Sequence, residues 1–167
     1  ADFNQFEAGG FATSPMDASG ASRAIDRLSY PFAGNALADV GTSYAECASA
    51  TTGAAAISFA ASGVNSTLQV GGTAAVINDV TNNVTKGGLS VMTDTTRKRA
   101  SSWGPAGLAV TGDGQAPATG AFDGAMESVS VAVGVATGGG ASLFGTIKNV
   151  SIWKSQLPNS TLQAMTS

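Results

Sequence analysis

Histidine is absent from this chain, cysteine occurs once, and charged residues make up only 11% of its 167 positions. Without histidine there is no Ser-His-Asp or Cys-His nucleophilic machinery. With one cysteine there is neither an intramolecular disulfide nor a Cys/His zinc site. Cys47 lies in an alternating segment and is expected as a small buried hydrophobe rather than a reactive thiol. Eight basic residues against eleven acidic ones leave a net charge of −3 and an isoelectric point near 4.6. The basic residues are scattered, so the electrostatic footprint that nucleic-acid binding requires is missing. No stretch approaches eighteen uninterrupted apolar residues, and no basic segment precedes an apolar run of the signal-peptide kind. A soluble protein without membrane insertion is expected.

What fills the chain instead is small residues: Ala, Gly, Ser and Thr occupy 88 of the 167 positions. Leu, Ile, Val and Phe together number 33, at the border where disorder becomes an option. Disorder also demands high net charge and low hydropathy, whereas this chain has a mean hydropathy of +0.15. The composition therefore points to a folded chain, and 16.4 kDa is the size of one domain.

Residues 1 to 22 match neither helical nor strand periodicity and read as an extended N-terminal arm. Phe3, Phe6 and Phe11 stud this arm and point to docking, either onto a neighbouring partner or back onto the same domain. From residue 23 to 167 the pattern is short strands. Val129, Val131, Val133 and Val135 alternate with small residues, and Ile57 with Phe59, Leu68 with Val70, Leu89 with Val91 and Leu108 with Val110 repeat the period of two. Gly, Asn, Asp and Ser-Gly clusters punctuate these runs, as antiparallel strands require. Gly104-Pro105-Ala106-Gly107 predicts a type I turn between a strand ending at Trp103 and one starting at Leu108. Gly112-Asp113-Gly114 closes the second of these, and a last strand is expected over 145–153. Only residues 159–165 read as helix, with Leu162 and Met165 one turn apart and Asn159 a candidate cap. Some ten strands and one short helix predict a two-sheet sandwich whose Ala, Ser and Thr lie on solvated outer faces.

The closing segment Leu143-Phe-Gly-Thr-Ile-Lys-Asn-Val-Ser-Ile-Trp-Lys-Ser-Gln-Leu-Pro-Asn-Ser-Thr-Leu resembles the last strand and helix of concanavalin A-like, laminin-G-like jelly rolls. Gly145, Ile147, Val150, Ile152, Trp153, Leu157 and Leu162 fit its pattern, while Pro158 stands where that family has a capping Ser. Arg99-Ala-Ser-Ser-Trp-Gly-Pro-Ala-Gly-Leu resembles the family's central hairpin. Ser22-Arg-Ala-Ile-Asp-Arg-Leu-Ser-Tyr-Pro, followed by Gly41-Thr-Ser-Tyr-Ala-Glu, resembles the opening strands of jelly rolls in bacteriophage fibre and head-spike proteins. The resemblance implies an all-β, two-sheet antiparallel jelly-roll sandwich with one short C-terminal helix. It further implies a structural protein on the exterior surface of a virion, a fibre, spike or decoration module that assembles with other virion proteins as a homo-oligomer and attaches to host surfaces.

Some relatives of this fold are glucanases, and glycoside hydrolysis needs two facing carboxylates. Glu7, Glu46 and Glu127 are isolated, so no enzymatic activity is expected. Asp79, Asp94, Asp113 and Asp123 sit at turns, where Asp bonds nearby amides. The resemblance also allows a calcium ion held by such loops, without naming ligands; no other cofactor is implied. The alternative function is a lectin-like glycan-binding module, for which Trp103 and Trp153 are the available aromatic platforms, though both also suit packing. Arg97 and Arg99 share one strand face, expected to be solvated or to meet an acidic partner. Four Asn-X-Ser/Thr sequons, at Asn65, Asn83, Asn149 and Asn159, are unremarkable in a chain so rich in Ser and Thr.

Overall fold

The computed structural model describes residues 28–49, 57–60, 67–71, 74–78, 83–86, 97–122, 130–134 and 145–167. Among these are eleven strands and one helix: β1 (Leu28–Pro31), β2 (Gly41–Ser49), β3 (Ile57–Ala60), β4 (Thr67–Gly71), β5 (Ala74–Asn78), β6 (Asn83–Lys86), β7 (Arg97–Trp103), β8 (Leu108–Gly112), β9 (Ala118–Gly120), β10 (Ser130–Val133), β11 (Gly145–Trp153) and α1 (Asn159–Met165). All strand pairings are antiparallel. The arm, with Phe3, Phe6 and Phe11, lies outside the described residues, as do Leu89 and Val91.

One layer is a five-stranded sheet in the order β11-β2-β7-β8-β9. The other is built from two three-stranded pieces, β1-β10-β3 and β4-β5-β6, which meet where β3 runs beside β4. The sheets are packed as a sandwich, as the strand pattern predicts, and of the jelly-roll class that the family resemblance implies. Ala45, Cys47, Ile57, Trp103, Leu108, Val110 and Val131 fill the space between the layers. Their alternation along each strand places them there, because successive side chains point to opposite faces.

The spacing Ile147, Val150, Ile152 breaks that period of two, and the structure explains why. A β-bulge between Ile147 and Asn149 absorbs one residue, so that Ile147 faces Cys47 and Val150 faces Ala45, all on the inner side. The hairpin from β7 to β8 follows the predicted turn, with the Gly107 N–H donating to the Gly104 carbonyl at 2.8 Å. Helix α1 starts after Pro158, whose carbonyl accepts from the Thr161 and Leu162 amides. Asn159 is therefore the first helical residue and not the cap.

The outer face of β7 and β8 departs from expectation. Ala100, Ser102, Ala109 and Thr111 are small as predicted, but all are buried. Leu162 of α1, itself fully buried, packs on Ala100 and Ala109 together with Tyr44, Trp153, Leu157 and Met165. Small residues here let a helix backbone approach a sheet closely instead of keeping a solvated face soluble. Side chains of Thr42, Gln156 and Gln163 are among those that fasten that segment. Thr42 Oγ1 donates to the Ser155 carbonyl at 2.8 Å and accepts from the Leu157 amide at 2.9 Å. The Gln156 carboxamide bridges the β7–β8 turn, accepting from the Ala106 N–H and donating to the Gly107 carbonyl. Gln163 donates to the Gly114 carbonyl beyond the other end of β8.

Candidate functional site

Two places in the described structure concentrate features beyond packing: a charged cluster inside the sandwich and an apolar cleft at its open side. The cluster stands on β7. Arg97, Arg99, Ser101 and Trp103 alternate onto the inner face, where Arg99 is paired with Gly112 across the hairpin. Arg99 is fully buried, and its Nη1 lies 2.7 Å from Asp113 Oδ2 and 2.9 Å from the Lys98 carbonyl. Arg97 Nη1 reaches the same carboxylate oxygen at 3.4 Å. Asp113 Oδ1 accepts from the Lys98 amide at 3.2 Å. The residue holds φ = +51°, a left-handed conformation that Asp tolerates better than most side chains.

The expected solvated face is thus overturned. Strand parity sends the two arginines inward, and their acidic partner is Asp113 of the same chain. Gly112 makes room for this, since a Cβ there would lie 2.6 Å from Arg99 Nη1. Among the described residues Nε and Nη2 of Arg99 and Nε of Arg97 have no hydrogen-bond partner. The cluster is a structural brace: among the described residues its carboxylate is Asp113, and both oxygens of that group are engaged. Asp113 is therefore both a turn residue, as predicted, and an ion-pair partner, which period and turn chemistry alone could not reveal.

Trp103 is also inside. It is 0% exposed and donates from Nε1 to the Leu37 carbonyl at 3.0 Å. Gly41 lies flat beneath its ring, where a Cβ would fall 2.2 Å from Cζ2. No face of this indole is open to a sugar, which corrects its candidacy as a glycan platform. Trp153 lies on the opposite, outer face, half-buried against the α1 cluster.

The described carboxylates Asp113 and Glu46 do not converge. Asp113 faces the inner cluster, whereas Glu46 lies on the outer face of β2, 3.6 Å from Lys148 Nζ. Glu7, Glu127, Asp79, Asp94 and Asp123 lie outside the described residues. Among the described residues no three His, Cys, Asp or Glu side chains group as metal ligands. No helix among them is long and apolar enough to cross a membrane. Burial pushes the Cys47 thiol up from its ordinary range, and it is fully enclosed. Burial, and then the neighbouring Glu46, raise the Tyr44 phenol likewise.

The cleft lies where β1 and β11, edge strands of opposite layers, leave the sandwich open. Tyr30 and Asn35 form one wall, Val131 and Val133 of β10 the floor, and Val150 and Ile152 of β11 the other wall, around about 250 Å³. Asn35 is held by a 2.8 Å bond from its amide nitrogen to the Pro31 carbonyl. Tyr30, which lines the cleft, is 46% exposed. Sequence reasoning missed this site. Tyr30 was legible only as part of an opening strand, and the cleft exists because two edges distant in sequence face each other.

No family model and no curated protein sequence matches the chain. Among solved structures it resembles the native heptameric SAP-like pentraxin from Limulus polyphemus, with a TM-score of 0.53 over 84% of this chain and 75% of that one, at 14% identity. It also overlaps a sialidase from Trypanosoma rangeli with a TM-score of 0.48 and 13% identity, spanning 77% of this chain but 23% of that enzyme. The pentraxin likeness shows the sandwich fold and nothing finer.

Proposed function

We propose that this chain is a non-catalytic jelly-roll module displayed on the exterior of a bacteriophage particle, a fibre, spike or decoration protein that works as an oligomer. The observation that supports this reading most is the character of the described concavity. The cleft between β1 and β11 is walled by Val131, Val133, Val150 and Ile152 with one exposed tyrosine, a surface suited to protein contact rather than to a polyol. Among the described residues Asp113 pairs with the buried Arg99, and Glu46 pairs with Lys148 on the outer face. The resemblance of the opening strands to phage fibre and head-spike proteins supplies the setting. Weak contacts per copy, repeated over a particle, give strong attachment to a host surface. Mass spectrometry of purified particles from the virus encoding this chain tests the reading: the protein is expected in stoichiometric amounts, and its absence refutes it.

A lectin-like reading draws on one feature, the exposed Tyr30 ring beside the Asn35 carboxamide, an aromatic platform with a polar neighbour. The cleft volume of about 250 Å³ falls below the roughly 300–1,000 Å³ usual for ligand pockets. A glycan would therefore touch its rim and not fill it.

A further inference from the structure

Among the described residues the charge inside the sandwich does not sum to zero. Arg97 and Arg99 bring two positive charges to the inner face of β7, and Asp113 returns one negative charge. Strands β4 and β5 pack against β7, and β5 and β6 against β8. The sequences of β4, β5 and β6 contain no Asp or Glu, so that sheet brings no second carboxylate whichever face it turns inward. Glu46, the acid of β2, lies on the outer face with Lys148.

The donors left over have a definite arrangement. Arg99 uses Nη1 for both Asp113 Oδ2 and the Lys98 carbonyl. Its Nε and Nη2 are buried without a hydrogen-bond partner, and so is Nε of Arg97. In a guanidinium the Nε–H bond and the neighbouring Nη2–H bond run parallel and match the two oxygens of one carboxylate. The unpartnered atoms of Arg99 thus make up a whole bidentate fork, in an interior where an unmet charged donor is costly.

We propose that this fork is a binding site for a small monovalent carboxylate, with Arg97 Nε as a further donor beside it. The site is separate from the cleft and does not depend on the display reading above. One negative charge brings the cluster to neutrality, whereas a dianion would overshoot it. The side chains of Arg97 and Asp113 are each 25% exposed, while that of Arg99 is 0% exposed. The cluster therefore meets solvent at its Arg97 end and encloses the fork behind it, an arrangement that suits a small ion better than the surface of a folded partner.

The test is a titration of the ¹⁵N-labelled full chain with sodium formate at constant ionic strength, followed through the arginine side-chain Nε–H signals. The Arg99 signal is expected to shift saturably, with a dissociation constant on the order of millimolar. At tenfold that concentration formate should raise the melting temperature by about 3–6 °C over an equal concentration of chloride. Arg97→Met removes the surplus charge and the neighbouring donor at the half-open end of the cluster, and it should weaken formate binding tenfold or more. An Arg99 signal that formate leaves unmoved overturns the proposal, whether water or the chain's own groups satisfy the fork. A shift that chloride reproduces equally, or that phosphate produces at lower concentration, also overturns it. So does formate affinity unchanged by Arg97→Met; should that variant fail to fold, the wild-type titration against chloride and phosphate decides alone.

Discussion

At the scale of single residues the most consequential group is the Arg99 guanidinium, fully buried and balanced by one carboxylate 2.7 Å away. A buried pair adds little net stability over an apolar alternative, yet breaking it strands a charge. Asp113→Asn keeps a side chain suited to the left-handed backbone and removes only the charge, and it should cost about 3 kcal/mol in urea denaturation. The double variant Asp113→Asn, Arg99→Met should recover part of that loss. Two other residues set an alkaline limit. Cys47 and Tyr44 have pKa values above their ordinary 9.0 and 10.0, chiefly because burial disfavours the charged forms. The folded chain thus keeps these protons to higher pH than the unfolded chain. Their stabilisation is complete below the ordinary values and is lost as pH rises through the folded ones. Urea midpoints should hold near neutrality and fall above about pH 9, and Cys47→Ala should remove the part of the fall that begins earliest.

Among the elements, α1 is short and weakly specified by itself. It has no side-chain cap, no acidic residue in its first turn and no basic residue in its last, so packing holds it rather than intrinsic propensity. Leu162 is the anchor, and Leu162→Ala should destabilise the protein by about 3 kcal/mol. Hydrogen exchange should then accelerate at β7 and β8 as well as in the helix, because the outer face of those strands is otherwise covered. The elements themselves were largely legible. Strands ending at Trp103 and starting at Leu108, the last strand over 145–153 and the helix over 159–165 follow from turn residues and period. What the pattern could not supply was the facing of β7. Arg97 and Arg99 alternate with Lys98 whichever side they take, and charge argues for solvent. Trp103, on the same parity, decides the matter: the indole must be inside, and the arginines go with it.

For the whole molecule, the open side of the sandwich is the feature that carries functional weight. A glycan array distinguishes the two readings of it. With the apolar cleft serving protein contact, the wild-type chain should give no binding above background. Sugar binding lost on Tyr30→Ala would instead favour the lectin-like reading, since that ring is the exposed aromatic of the cleft. The candidate site was the least legible part of the protein. Trp103 drew notice as a large aromatic beside a turn, and its burial over Gly41 removes it. Tyr30, Val133, Val150 and Ile152 gave no joint signal, because nothing local brings β1, β10 and β11 together.

The amino-acid sequence by itself determined the class of fold: period-two alternation between turn residues builds antiparallel strands, while the missing histidine excludes Ser-His-Asp and Cys-His machinery. These are local properties, fixed by backbone sterics and side-chain type. The tertiary structure alone decided which side of each strand is interior, that small residues of β7 and β8 seat a helix, that Asp113 neutralises Arg99, and that two sheet edges leave an apolar cleft. Each of those depends on which distant segments meet, and that is settled by closing the core as a whole.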